Sequence, residues 1–159
     1  MDKTELVDII KGCIAMEQTV ASIYRIFMKL FPEEESFWED LFNDEMDHHS
    51  WLTDARYIEF VDLLPSGDML PSARHIEGSL KSAVTAIEQI KSRPVTFEEA
   101  LMTALRFEKS MVEIFANELM ANVFASGYES LSQRIAAAER LHLNKIEDMM
   151  IEKGFMQLS

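Results

Sequence analysis

The chain has 159 residues, a length that suits one domain spanning 1–159. Twenty-eight Asp and Glu against fifteen Lys and Arg leave a formal net charge of -13, which argues against a nucleic-acid or anionic-membrane binder. Apolar residues at 48%, with only five Gly and four Pro, fit a packed core of long helices and not a many-turned β-sandwich. Cys13, the single cysteine, can form neither an internal disulfide nor a thiolate metal cluster. No apolar run approaches the roughly 18 residues of a membrane span. The opening Met1-Asp2-Lys3-Thr4-Glu5 is no basic-then-apolar leader, so the expectation is a soluble, cytoplasmic, all-α domain.

The first helix is expected from about Asp2 to Leu30, with Leu6, Ile10, Cys13, Val20, Tyr24, Phe27 and Phe31 at helical spacing. Glu17 stands where that stripe should continue. Pro32 punctuates the chain, and Glu33-Glu34-Glu35 opens a second helix running to about Val61. Trp38, Leu41, Phe42 and Leu52 form its apolar face, interrupted by Glu45 and His48. Residues 62–71 hold two prolines and a glycine and are expected to be a loop. A shorter amphipathic helix follows over Ala73 to Lys91.

Thr96, with Glu99 three residues on, reads as a capping box opening the third long helix. Its stripe runs through Leu101, Leu105, Val112, Phe115 and Leu119, contains Glu108, and is closed by Ser126-Gly127. The fourth carries Leu131, Ile135, Ala138, Ile146 and Met149, interrupted by Glu139 and His142. Each of four apolar stripes is thus broken near its middle by a carboxylate, and two breaks add a histidine three residues later. The halves also echo one another, because Glu17 to Tyr24 matches Glu108 to Phe115 in carrying a Glu and then an aromatic two turns on.

With 19 Glu and 4 His, chance alone gives about 0.5 Glu-x-x-His pairs, so the weight lies in placement and not in number. The midpoint of Glu17 and the Glu45/His48 pair falls on Phe31-Pro32, and that of Glu108 and the Glu139/His142 pair within a turn of Gly127. Two antiparallel hairpins would therefore bring all six groups to one level. The long crossover, containing the short extra helix, lets the second and third long helices run parallel. Carboxylates in an apolar core are prohibitively costly without partners. Two divalent cations would balance four of them, and Glu and His at i, i+3 share a helix face. Oxygen-rich ligation with one imidazole per metal suits iron or manganese better than a thiolate-seeking metal.

Glu17, Glu45-x-x-His48, Glu108 and Glu139-x-x-His142, in this order, resemble the ferritin-like di-iron carboxylate family. The nearest branch is rubrerythrin-like, with bacterioferritin next. The resemblance implies a ferritin-like four-helix bundle holding two iron ions, with manganese, a mixed pair or zinc as alternatives. It implies Glu45 and Glu139 as bridging ligands, Glu17 and His48 as terminal ligands of one iron, and Glu108 and His142 of the other. Tyr24 matches a family position that hydrogen-bonds near the cluster.

The expected activity is redox chemistry on a small oxidant, O2 or H2O2, supplied by an electron donor that the sequence does not identify. Alternatives are ferroxidation in an iron-handling protein, a non-catalytic binding protein with a structural metal site, and an oxygenase acting on an organic substrate. A homodimer or larger homo-oligomer is expected. The chain departs from rubrerythrins proper in lacking a Cys-rich rubredoxin module, and in carrying Met111 and Phe115 where a further Glu and Tyr are usual.

Other residues have plainer readings. Glu113 is the rival third-helix ligand, Glu118 a solvated acid, His49 a bystander or a group that supports the ligands from behind, and His75 a solvated residue of the crossover loop. Cys13 is expected to be a buried thiol, and Trp38, Trp51 and the eleven Met to be packing residues.

Overall fold

The computed structural model describes residues 3–55, 71–110 and 142–157. Among these it is all helical. Helix α1 (Lys3–Leu30) turns its core face inward through Ile9, Cys13, Met16, Val20, Ile23, Tyr24 and Phe27. Pro32 disfavours a helical Phe31, whose φ of -124° and ψ of 69° end the helix and turn the chain. The short 3-10 turn Pro32–Glu34 then leads into α2 (Glu35–Ala55). The first hairpin therefore turns where the sequence placed it. The expected loop over residues 62–71 falls almost wholly outside the described residues, as do the continuation of the second helix to Val61 and the Trp51 side chain.

Helix α3 (Ala73–Ser92) is the crossover helix, and Ser72 caps it by accepting from the His75 N–H at 3.2 Å. His75 is exposed as expected, but it sits in the first turn of α3 and not in a loop, because the Ser72 cap starts the helix ahead of it. Gly12 of α1 lets this helix approach closely, since a Cβ there would collide with Ile76 Cγ2.

Helix α4 (Phe97–Glu108) is capped by Thr96, which accepts from the Glu99 N–H at 3.1 Å, while the Glu99 carboxylate pairs with Arg93. Its expected extension to Ser126-Gly127 lies outside the described residues, together with Met111, Glu113, Phe115 and Glu118. A final helix, α5 (residues 142–152), closes on Gly154 at φ 78°. There the Phe155 N–H reaches Met150 O and the Gly154 N–H reaches Ile151 O, a Schellman stop that turns Phe155 back toward Phe97.

Side-chain pairs fix the helix directions. Phe31 meets Phe97 and Tyr24 meets Glu108, so α1 and α4 are antiparallel. Glu34 meets Lys153 and Asp40 meets Lys145, so α2 and α5 are antiparallel. Glu108 meets His142 while Phe97 meets Phe155, so α4 and α5 are antiparallel as well. With α1 antiparallel to both α2 and α4, those two run parallel, as the long crossover allows.

Trp38 anchors the core at the hairpin end, with ring centroids 4.7 Å from Phe27, 4.9 Å from Phe37, 5.9 Å from Tyr24 and 6.0 Å from Phe97. It is a packing residue, as its place in the stripe indicated. No helix among the described residues is long and apolar enough to cross a membrane.

Candidate metal centre

Halfway along the bundle the core turns polar. Glu17 and Glu45 are fully buried, and His48, Glu108 and His142 are 5% exposed or less. Each sits on a core-facing helix position where its neighbours one turn away are apolar: Cys13 and Val20 around Glu17, Leu41 and Leu52 around Glu45 and His48, Ala104 before Glu108, Ile146 after His142.

The helices bring these five side chains into two overlapping groups. Potential ligand atoms of Glu17, Glu45 and His48 lie within 4.8 Å of one another, and so do those of Glu45, Glu108 and His142. Glu45 belongs to both groups. Among the six residues singled out from the sequence, Glu139 lies outside the described residues, and the other five converge.

The contacts within the cluster are specific. His48 Nδ1 stands 3.5 Å from Glu17 Oε2. His142 Nδ1 lies 3.0 Å from Glu108 Oε2, while Tyr24 donates its hydroxyl to Glu108 Oε1 at 2.6 Å. Tyr24 is fully buried and so has a definite role: it orients the Glu108 carboxylate. Burial pushes the Glu108 carboxyl up, but the positive charge of His142 and the hydrogen bonds of His142 and Tyr24 outweigh it and hold the group below its ordinary value. Neither oxygen of Glu17 accepts a hydrogen bond among the described residues. Such an orphaned buried carboxyl is costly unless a cation completes it.

One neighbour of the cluster was missed in the sequence. Asp44, beside Glu45 on α2, places Oδ2 at 3.6 Å from His142 Nε2, the imidazole nitrogen facing away from Glu108. Burial raises the Asp44 carboxyl, opposed by the charges of His142, His48 and Lys145. The one available signal was its adjacency to Glu45, which points it to the edge of the same helix face, but a surface Asp on an acidic helix has no distinguishing pattern. Cys13, one turn before Glu17, is buried, and His49 is half-buried outside both groups.

The donor set fits a pair of divalent cations: three carboxylates and two imidazoles, oxygen-rich, without thiolate. No protein-family model matches the chain, and neither does any curated protein or solved structure.

Proposed function

We propose that this chain is a ferritin-like, rubrerythrin-like di-metal carboxylate protein that uses two iron ions to reduce O2 or H2O2. The observation that carries the reading is the position of Glu45, the common member of two buried Glu/His triplets drawn from four helices. A carboxylate shared in this way suits a bridge between two cations. Glu17 and His48 would hold one ion, and Glu108 and His142 the other. Glu139 would supply the second bridge by its place in the same sequence pattern. When bound, the iron pair would supply the two electrons that reduce the oxidant.

The chain's own contribution is placement and insulation. Tyr24 fixes Glu108 Oε1, which leaves Oε2 directed at His142 and the cluster. Trp38, Phe27, Leu41, Leu101 and Ile146, all within the core, keep water from the carboxyls and strengthen every charge interaction there. An external electron donor and a homo-oligomeric assembly complete the proposal, and the up-down-down-up run of α1, α2, α4 and α5 supports the ferritin-like assignment.

The test is anaerobic loading with ferrous iron, followed by metal analysis and then by mixing with H2O2 or O2 in a spectrophotometer. Two irons per chain and a rapid change in near-ultraviolet absorption are expected. Less than one iron per chain would overturn the metal centre. Full loading without any spectral response would leave a structural metal site and remove the redox reading.

A further inference from the structure

The five ligand candidates are shut inside the bundle, so a cation has to reach them along some path. At the seam between α2 and α5 one polar group spans the distance. Asp44 has 49% of its side chain exposed, yet its Oδ2 lies 3.6 Å from Nε2 of His142, a side chain only 2% exposed. That nitrogen has no hydrogen-bond partner among the described residues. The opposite nitrogen of the same ring faces Glu108. The imidazole thus joins the solvent edge of the seam to the buried cluster. Asp40 and Asp47, a turn before and after Asp44, are exposed on the same helix, and Lys145, one turn after His142, is held by Asp40.

We propose that Asp44 is the loading carboxylate of the metal centre: it captures an incoming divalent cation at the α2–α5 seam and hands it, through His142 Nε2, to Glu45 and Glu108. A gap of 3.6 Å between oxygen and nitrogen can be closed by one cation with bonds of about 2.1 Å. Negative charge at the mouth of a low-dielectric passage raises the local cation concentration and the on-rate. The inference rests on the metal-binding reading above. It differs from a role in holding His142, because a loading group changes rates and leaves the final complex alone.

The experiment is stopped-flow uptake of Co2+ by the metal-free full chain, followed by the absorption of the bound ion. In Asp44→Asn, association should slow about tenfold at low ionic strength and lose most of its salt dependence. Dissociation should slow with it, so that affinity and stoichiometry match the wild type. Glu88→Gln, an exposed charge-matched change on α3, should leave the rate unaltered; equal slowing there would make the effect one of net charge and overturn the assignment. An unslowed Asp44→Asn would also overturn it, as would weaker affinity at an unchanged on-rate, which is the signature of a group that only positions His142. If wild-type protein takes up no Co2+, the metal centre itself falls. Wild-type uptake with an unslowed Asp44→Asn removes the loading role alone.

Discussion

Glu17→Met should change stability in opposite directions with and without metal. In the metal-free bundle Glu17 is fully buried, and neither carboxyl oxygen accepts a hydrogen bond among the described residues. A buried polar group left in this condition costs about 1–3 kcal/mol. Met has a similar length, adapts to irregular space and carries no such penalty. For a chain of this size each kcal/mol moves the melting temperature by about 2–4 °C, so metal-free Glu17→Met should melt roughly 2–12 °C above wild type. Metal reverses the order. At a metal concentration of about one thousand times Kd the native state gains about 4.1 kcal/mol, and wild type should collect that gain whereas the variant, missing a ligand, should not. Thermal melts followed by circular dichroism, in chelator and with anaerobic Fe2+ or Mn2+, make the comparison. A variant that melts below wild type in chelator, or that keeps the full metal-dependent increment, would refute the reasoning.

Two further substitutions probe neighbouring contacts. Tyr24→Phe removes the 2.6 Å hydrogen bond to Glu108 and should cost about 1–3 kcal/mol in the metal-free protein by denaturant unfolding, with no change in helix content. Gly12→Ala places a methyl against Ile76 Cγ2; overpacking of about 1–3 kcal/mol exceeds the helix-propensity gain of about 1 kcal/mol. The melting temperature should fall, and Ile76→Ala added to Gly12→Ala should cost less than Ile76→Ala alone. A Gly12→Ala protein that melts higher than wild type would show that α1 and α3 can separate without penalty.

The helical class and the level of the site were legible because both are written in local periodicity. Glu17, Glu45 and Glu108 interrupt 3.6-residue stripes, and a carboxylate at such a position has no cheap solvated alternative. The hairpin midpoint at Phe31-Pro32 was legible for a related reason, since a proline fixes the end of a helix irrespective of tertiary context. Asp44 was not legible, because its importance comes from α5, about a hundred residues away, and its own neighbourhood resembles any acidic helix edge. Gly12 had the same opacity: within α1 it is a mild helix defect, and only the arrival of Ile76 gives it a purpose. Reading His75 as a loop residue conflicts with the helix expected over Ala73 to Lys91, and Ser72 was a cap signal in plain view.

The metal-free cluster also dictates how binding must depend on pH. Glu108 Oε1 accepts from the Tyr24 hydroxyl and Oε2 faces His142 Nδ1, so a proton arriving at Glu108 disrupts contacts that its ionised form makes. A cation has to compete with protons for the carboxylate and imidazole donors of Glu17, Glu45, His48, Glu108 and His142. Loading should therefore release protons, and affinity should weaken as pH falls. The stability of the metal-free protein should follow the same direction. Glu108, with its folded value depressed below 4.5, contributes stability that is present above the unfolded value and is lost as pH falls through the folded one. Calorimetric titration with Mn2+ in two buffers of different ionisation enthalpy at one pH reads the release directly, because the observed heats then differ by the number of protons exchanged. Identical heats in both buffers would mean that no proton leaves these donors when the cation arrives.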